Sequence, residues 1–264
     1  MRVAVLVKQV PATENVKIDE STGTMIREGV EAELNPLDLH AVEEAVRLKE
    51  RFEGTEITVI SMGPPQAKKA VKAAIAMGCD RGTLLSDGKF AGSDTLATAR
   101  TLAAGIVREG AFQIVLSGER ATDGETGQVG PAVGHILGMS VLTFVSGVES
   151  VGEDRIVVRR AVEGGHERVE APLPAMLSVV KEINVPRLCT LGGKIRAKRT
   201  EIPLVGAKEL GLPEEHLGLA GSPTKVVRVS YPQITRNGKK VPASDDLNAA
   251  LDAIRELLAD RRIV

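Results

Sequence analysis

Short apolar runs alternate with amphipathic or alanine-rich stretches over the first 145 residues of the chain. The runs are short and rich in branched side chains, which is typical of strands buried on both faces. The stretches between them suit helices. Strands are predicted at residues 2–7, 56–61, 82–85 and 112–117. Because repeated strand–helix units need crossover connections, the pattern predicts an α/β fold with a mostly parallel sheet flanked by helices.

The pattern changes after a short apolar run at residues 141–144. Gly152-Glu-Asp154 separates two strand-like runs, residues 147–151 and 155–160, as in a β-hairpin. Further runs at residues 168–170 and 174–180 have an antiparallel appearance. We expect these pieces to extend the same sheet.

The last quarter of the chain is rich in proline. Residues 201–243 carry prolines at 203, 213, 223, 232 and 242, which is typical of an extended arm rather than a separate core. A helix is predicted at residues 245–258, and its apolar face consists of Leu247, Leu251, Ile254 and Leu258. We therefore predict an α/β domain at residues 1–200, and an arm and helix at 201–264 that pack on a partner chain.

Three helix starts carry residues that favour capping. Asn35 is placed to cap the first long helix, with Pro36 at the first helical position and Asp38 three residues after the cap. Ser93 is placed to cap a helix that runs to about residue 108, and Ser244 is placed to cap the last helix. A long polar segment, residues 8–33, precedes the first helix and contains a predicted surface turn at residues 20–23.

Four segments are predicted to lie at the carboxyl edge of the parallel sheet, where ligands bind in such folds. They are residues 6–9, 35–38, 61–64 and 118–126. Each combines small or backbone-exposing residues with a helix start or a turn. For each segment, a structural role without a ligand is the alternative. Asn35 would then simply cap a helix, and Met62 would simply fill the core. Their common edge favours a nucleotide cleft.

The longest of these segments begins a stretch, residues 118–131, that leads from a buried strand into a short helix predicted at residues 129–137. Gly118, Gly124 and Gly127 allow the backbone to approach a ligand closely, and Thr122 and Thr126 add hydroxyl groups. Backbone N–H groups at the start of a helix attract phosphate. The segment matches neither a Walker A loop nor a GxGxxG fingerprint, so a polar loop without a ligand is the alternative interpretation.

Composition narrows the functional classes. A formal net charge of -1 and 2% aromatic residues disfavour a nucleic-acid binder. No apolar run approaches the roughly 18 residues of a membrane span. Cys79 and Cys189 lie in no CxxC motif, so we expect reduced thiols in a cytoplasmic protein. The four histidines show no zinc spacing, and no catalytic constellation is readable, so neither a metal site nor catalytic residues are predicted.

The stretch from Pro186 to Arg199 is basic and irregular. Leu191 precedes a glycine pair there, on what is predicted to be an exposed loop. An isolated exposed leucine usually needs no explanation. Next to a basic run, it can instead be an interface anchor.

Several stretches resemble the β subunit of electron transfer flavoprotein. Residues 158–178 fit that family's signature in every specified position. Residues 186–191 and 197–199 resemble its partner-recognition loop. Shorter matches are Asn35-Pro36, residues 43–49, Met77-Gly78, residues 80–82 and Thr126-Gly127-Gln128. The likeness runs from Val3 to about Val205 and weakens to an arm-and-helix pattern beyond.

The resemblance implies a heterodimer whose α subunit holds the redox-active FAD. The β chain would form a Rossmann-like, adenine-nucleotide-binding domain that docks to the α subunit and buries AMP. The implied cofactor-binding residues are Leu6, Asn35, Pro36, Leu37, Asp38, Met62, Gly118, Ala121, Thr122, Asp123, Gly124, Glu125 and Thr126. The chain would act as an electron carrier rather than as a catalyst by itself.

The resemblance also implies a recognition loop near residues 184–200. Leu191 stands where the family has the leucine that inserts into an apolar pocket of an acyl-CoA dehydrogenase. Arg187, Lys194 and Ile195 are predicted to contact that partner or another flavin dehydrogenase.

Departures from the family pattern leave alternatives open. The compact loop at residues 123–131 is closer to the electron-bifurcating members, in which a second FAD occupies the AMP position and NADH is oxidised. Ala161 replaces a glutamate that pairs with the α subunit in many members, and Leu188 replaces a tyrosine. Gly192-Gly193 replace Pro-Asn. A bifurcating subunit is therefore one alternative function. A stand-alone adenine-nucleotide-binding protein, which rests on the predicted sheet alone, is the other.

Overall fold

The computed structural model describes residues 1–12, 18–19, 24–25, 31–227, 240, 242, 244 and 246–262. It contains two compact units, Met1–Val227 and Arg228–Val264. The turn predicted at residues 20–23, together with Pro232 and Asp245, lies outside the described residues.

The strands are β1 (Arg2–Leu6), β2 (Gln9–Pro11), β3 (Ile18–Asp19), β4 (Thr24–Met25), β5 (Ala32–Leu34), β6 (Glu56–Met62), β7 (Arg81–Leu85), β8 (Ile114–Gly118), β9 (Ser140–Val151), β10 (Arg155–Val162), β11 (Gly165–Pro172), β12 (Ala175–Val179) and β13 (Leu204–Val205). The α-helices are α1 (Pro36–Arg51), α2 (Lys68–Met77), α3 (Thr95–Glu109), α4 (Val129–Ile136), α5 (Leu191–Arg199), α6 (Ala207–Leu210) and α7 (Leu247–Asp260). Short 3-10 turns lie at Pro65–Ala67, Gly88–Phe90, Lys181–Ile183 and Glu214–His216.

Nine strands form the central sheet, in the order β11-β10-β9-β12-β8-β1-β6-β7-β13. The seven from β9 to β13 in this order run parallel to their neighbours, and β10 and β11 continue the sheet in antiparallel pairing. The prediction of a mostly parallel α/β sheet flanked by helices is confirmed.

Two predictions for the second half of the sheet are corrected. Residues 174–180 do not form an antiparallel extension, because β12 lies between β8 and β9 and is parallel to both. The separate runs at 141–144 and 147–151 are one strand, β9. A register shift against β12 interrupts its pairing, and Phe144 within it has a φ of 55°. Such an irregularity shifts the inside–outside alternation, which is why the sequence looked like two strands.

Each face of the sheet carries its own hydrophobic core, because successive residues of a strand point to opposite faces. Val3 and Val5 of β1 belong to the core that α1 and α2 cover. Ala4 and Leu6 belong to the core on the other side, which α3 and α4 cover. The helices on both faces account for the nearly continuous apolar sequences of the central strands.

Two predicted helix caps are wrong by one or two residues. Asp94, rather than Ser93, caps α3, and its side chain accepts hydrogen bonds from Leu96 N and Ala97 N at 3.0 Å each. Asp246, rather than Ser244, caps α7. In both places a serine and a nearby aspartate are equally good candidates from sequence, and the backbone path decides between them.

The segment from 201 to 227 belongs to the first compact unit rather than to an arm. Its strand β13 pairs with β7 and forms one edge of the sheet, and Ile202, Val205 and Leu217 are buried. The boundary between the units therefore follows residue 227, whereas we predicted it after residue 200. A two-residue strand among prolines has too little periodicity to be recognised in the sequence.

The second unit contains α7. Leu247, Leu251, Ile254 and Leu257 of this helix are exposed, and Ala250 is buried. Within the described part of the chain, no helix has both the length and the apolar character that crossing a membrane requires.

Candidate functional site

The polypeptide reverses its direction of travel across the sheet at β1. The chain passes from β1 to β6 on one side, and β8, which comes later, pairs with β1 on the other side. Ligands of open α/β sheets bind in the crevice at such a switch point, outside the carboxyl ends of the strands. The segments after β1 and β8, and the start of α1, converge there.

Asp38 joins these three elements. It lies in the first turn of α1 and is buried. Its Oδ2 accepts a hydrogen bond from Lys8 N at 2.8 Å, just after β1. Its Oδ1 accepts one from Gly118 N at 3.1 Å, at the end of β8. The carboxylate therefore fixes the start of α1 against both strands that border the crevice.

The protonation of Asp38 is sensitive to this environment. Burial raises its pKa from 3.8 to about 7, although the hydrogen bonds it accepts and the charge of Lys8 act in the opposite direction. The group therefore titrates near neutral pH. An ordinary surface aspartate would be fully ionised there.

Asn35 does not cap α1 with its side chain, contrary to the prediction. It is fully buried, and its Nδ2 donates to Arg120 O at 2.9 Å while its Oδ1 accepts from Thr122 N at 3.2 Å. The backbone carbonyl of Asn35 instead accepts from Asp38 N at 2.9 Å. The side chain thus fixes the loop that follows β8, which places Asn35 inside the predicted site in a different role.

Lys8 is a site residue that the sequence analysis did not single out. Its Nζ lies 2.6 Å from Oδ1 of Asp123, whose side chain is only 7% exposed. This ion pair connects the end of β1 to the loop after β8, across the crevice. Lys8 directly follows a buried strand, at the carboxyl edge of the sheet, and this position was the sequence signal that could have identified it.

At Gly118 the backbone packs closely against α1 of the same chain, and the predicted approach of this loop to a ligand stays a prediction. A Cβ on Gly118 would lie 2.6 Å from Oδ1 of Asp38, so only glycine fits there. Glu125 and Gly127 have φ values of 52° and 64°, and they turn the loop towards α4. Ala121, Thr122, Gly124, Glu125 and Thr126 lie on this loop, and all except the half-buried Ala121 are exposed.

The remaining predicted cofactor residues lie at the same edge. Leu6 ends β1 and Met62 ends β6. The side chains of both contact the core beneath α3 and α4, so core packing is part of their role. Pro36 and Leu37 form the first turn of α1. Ser61, next to Met62, has a buried Oγ without a hydrogen-bond partner among the described residues.

The donors in the crevice fit a phosphate-bearing nucleotide. The N-terminal turn of α4 opens directly from the loop, and its N-cap residue, Gln128, makes no side-chain capping bond. The first N–H groups of a helix have no partner within the helix and favour an anion. The hydroxyls of Thr122 and Thr126 and the ammonium of Lys8 supply further donors.

A second candidate surface is the docking segment, by which we mean residues 184–195. Leu191 is 76% exposed, as expected, but it begins helix α5 rather than lying on a loop. Thr190 caps this helix by accepting a hydrogen bond from Gly193 N at 3.0 Å. Val185, Leu188 and Ile195 are also exposed, so the segment presents an apolar strip.

Charged groups lie beside this strip. A cavity of about 380 Å³ adjoins it and is lined by Gly192, Ile195, Arg196, Arg199 and Thr200. Lys194 is exposed on the same helix. Arg187, which we predicted as a partner contact, binds Glu43 and Glu50 of its own chain. Its direct contact with a partner stays a prediction.

Comparison with known proteins identifies the family. The family described as "Electron transfer flavoprotein domain" matches residues 22–210. The electron transfer flavoprotein subunit beta of Thermoanaerobacterium thermosaccharolyticum is 42% identical over 265 residues and covers 100% of both chains. The caffeyl-CoA reductase-Etf complex subunit CarD of Acetobacterium woodii is 41% identical over 264 residues, again covering 100% of both.

A third relative has a different name. Protein FixA of Sinorhizobium fredii is 37% identical over 265 residues, which cover 98% of this chain and 92% of that protein. The likeness therefore extends over the carboxyl-terminal region as well as over the sheet. The resemblance noted in the sequence is confirmed, and it extends past Val205 over the whole chain. The chain belongs to the electron transfer flavoprotein family, as a protein of the β-subunit type that functions in electron transfer.

Proposed function

We propose that the chain is the β subunit of a heterodimeric electron transfer flavoprotein, which binds AMP in the crevice between β1 and β8. The observation that carries the proposal is the convergence of Lys8, Asn35, Asp38 and Asp123 at the topological switch point. The α subunit binds the FAD that accepts and donates the electrons. The chain described here supplies the fold that holds the nucleotide and the surface that meets the electron donor.

The crevice residues have distinct roles in this proposal. The loop at residues 118–126 and the N-terminal turn of α4 bind the phosphate through N–H and hydroxyl groups. Asn35 and Asp38 hold the loop and the strands at a fixed distance, because each bonds backbone groups of other elements. Leu6, Pro36, Leu37 and Met62 line the site with backbone and apolar atoms. The nucleotide then stabilises the chain by binding only the folded state.

The exposed apolar surfaces support contacts with two partners. Leu191, with Lys194 and Ile195, binds an acyl-CoA dehydrogenase or another flavin dehydrogenase. A single apolar anchor with charged surroundings suits a transient complex. The exposed leucines of α7 bind the α subunit. Cys79 and Cys189 are free thiols, in agreement with a cytoplasmic location.

A second FAD in place of AMP is the alternative occupant, and it would make the complex a bifurcating oxidoreductase that oxidises NADH. Two observations favour it. Only residues 124–128 lie between Asp123 and α4, which suits the short loop that the resemblance to bifurcating members implies. A full-length relative at 41% identity is named as a subunit of a caffeyl-CoA reductase-Etf complex. A stand-alone nucleotide-binding protein has less support, because the full-length relatives named as subunits include the region of α7.

Nucleotide analysis tests the choice of occupant. The chain is co-expressed with candidate α subunits, and the bound nucleotides of the purified complex are released and separated by chromatography. One AMP and one FAD per heterodimer are expected. Two FAD per heterodimer would select the bifurcating alternative. A colourless chain that purifies alone, without nucleotide, would refute both.

A substitution tests the docking role. Leu191→Ala should slow electron transfer from a reduced acyl-CoA dehydrogenase, because a truncated anchor leaves the partner pocket unfilled. FAD and nucleotide contents should be unchanged. Val107→Ala on α3 is the matched control, since Val107 is an apolar side chain of similar exposure, 66%. An unchanged rate for Leu191→Ala would exclude the anchor role.

A further inference from the structure

One side of α1 carries a polar stripe that faces the docking segment. His40, Glu43, Arg47 and Glu50 recur at spacings of three and four residues, which places them on one face of the helix. Three of them, His40, Glu43 and Glu50, together with Glu44, bond to Asn184 or Arg187. The contacts join positions 137 to 144 residues apart in sequence.

Arg187 makes the most extensive of these contacts. Its Nε lies 2.8 Å from Oε2 of Glu43, and its Nη2 lies 3.0 Å from Oε1 of the same carboxylate. Its Nη1 and Nη2 also lie 2.6 and 3.1 Å from the two carboxylate oxygens of Glu50. Each of the two carboxylates therefore accepts two hydrogen bonds from the guanidinium of Arg187. Such bidentate pairs fix the position of the side chain as well as balance its charge.

Glu43 is the buried half of this arrangement. Its side chain is only 3% exposed, so it cannot touch another protein. It also accepts a hydrogen bond from Nε of Arg47 at 3.0 Å and one from Arg187 N at 3.1 Å. Burial alone would raise its pKa, but the bonds from Arg187 and Arg47 hold the pKa below 4.5. The carboxylate is thus ionised and fully engaged at neutral pH.

Asn184 adds a second attachment to α1. Its Nδ2 donates to His40 O at 3.0 Å and to Oε2 of Glu44 at 3.2 Å. Asn184 and Glu44 are both buried. The segment is therefore fixed at positions 184 and 187, which are three residues apart.

The outward positions of the same segment are apolar. Val185, Leu188 and Leu191 are 81%, 92% and 76% exposed. They too recur every three residues, out of phase with Asn184 and Arg187. Attachment on one side thus determines which side chains the other side presents.

We propose that Arg187 is a positioning residue for partner docking. Its double ion pair with Glu43 and Glu50 holds the segment that carries Leu188 and Leu191 in the conformation that binds the dehydrogenase. This inference rests on the docking role proposed above, and it differs from the predicted direct contact between Arg187 and the partner. Prior fixation matters because a loop that must order itself on binding weakens the complex.

The far end of the segment is attached independently of Arg187. A Cβ on Gly193 would lie 2.1 Å from Ala76 O, so α5 packs directly against the end of α2. Arg196 donates to Ile75 O at 2.7 Å. Loss of the Arg187 attachment should therefore loosen residues 185–190 and leave α5 in place.

The first experiment measures amide hydrogen exchange on the purified complex of this chain with its α subunit. Arg187→Lys keeps the charge but loses the fork, and Glu43→Gln removes the buried carboxylate. Both should speed exchange in residues 185–190, by about tenfold or more, without affecting α5. Glu53→Gln, an exposed acidic residue just past α1, is the matched control and should leave exchange unchanged. Unaltered exchange in both variants would overturn the proposal.

The second experiment measures electron transfer from the same reduced acyl-CoA dehydrogenase used for Leu191→Ala. Glu43→Gln and Arg187→Lys should each raise the KM for the carrier by about tenfold, with kcat unchanged, because only the ordering of the segment is affected. The KM of the double variant should not exceed the higher of the two single-variant values, since both substitutions remove the same ion pair. Additive effects, or a normal KM in Glu43→Gln, would instead mean that Arg187 contacts the partner directly.

The two experiments distinguish a failure of the docking role of Leu191 from a failure of the positioning role of Arg187. If Leu191→Ala has no effect on transfer, the docking role is wrong, but exchange still reports whether the ion pair orders the segment. If Leu191→Ala slows transfer while Glu43→Gln leaves exchange and KM normal, the docking role stands and the positioning role is refuted.

Discussion

Gly118→Ala would test the geometry of the crevice most directly. Gly118 is the last residue of β8 and is buried. An added Cβ would lie 2.6 Å from Oδ1 of Asp38, 2.7 Å from the carbonyl carbon of Leu37 and 2.9 Å from Asp38 N. Two of these atoms are backbone, so they cannot rotate away. The first turn of α1 would have to move away from β8.

The cost combines three effects. Overpacking of this kind destabilises by about 1–3 kcal/mol. The hydrogen bond from Gly118 N to Asp38 would be lost or stretched, and a bond to a charged group contributes about 1.5–3 kcal/mol. Alanine also reduces the conformational freedom of the unfolded chain, which stabilises the folded state by about 0.4–1 kcal/mol. We therefore expect a net loss of about 2–5 kcal/mol in the free energy of unfolding.

Urea unfolding of the purified protein, followed by circular dichroism, measures this loss. Gly124→Ala, in the loop that follows β8, is the matched control, because no atom lies within 4 Å of its added Cβ and its φ is not positive. It should change stability by less than about 1 kcal/mol. Nucleotide content measured on both variants shows whether the crevice itself is affected. Equal stability of the two variants would refute the inferred packing at Gly118.

Two further predictions concern aspartates. The fold raises the pKa of Asp38 from 3.8 to about 7, so the unfolded chain ionises first and stability falls as the pH rises from about 4 to 7. The slope is at most about 1.4 kcal/mol per pH unit. Asp38→Asn should make this slope smaller. Free energies of unfolding measured at pH 5, 6 and 7 test the prediction, and a slope equal to that of the unsubstituted protein would contradict it. Asp94→Ala should cost about 1–2 kcal/mol by removing the cap of α3. Ser93→Ala should cost less, and the reverse order in thermal unfolding would count against Asp94 as the cap.

The helix starts illustrate how far local sequence signals reach. Asn35-Pro36 placed the start of α1 correctly, because the fixed φ of proline is a property of the residue itself. The role of the Asn35 side chain was not accessible in this way. Its partner Thr122 is 87 residues away, and nothing in the sequence indicates that the two meet. Side-chain bonding between distant segments depends on the completed sheet order.

The sheet shows the same division. Apolar runs identified the buried strands, since burial on both faces requires nearly continuous apolar sequence. They could not reveal that β12 inserts between β8 and β9, because pairing order depends on how crossover connections pack. The edge pairing of β13 was missed because a two-residue strand carries no measurable periodicity.

The sequence by itself determined the class of fold, the carboxyl edge where the crevice lies and the exposure of Leu191. These follow from hydrophobic periodicity and from the conformations of glycine and proline, which are local properties. Only the tertiary structure decided that Asp38 joins β1 and β8 and that Arg187 is held by Glu43, 144 residues away. Buried charges need partners, and only the folded chain determines which distant groups come within hydrogen-bonding distance.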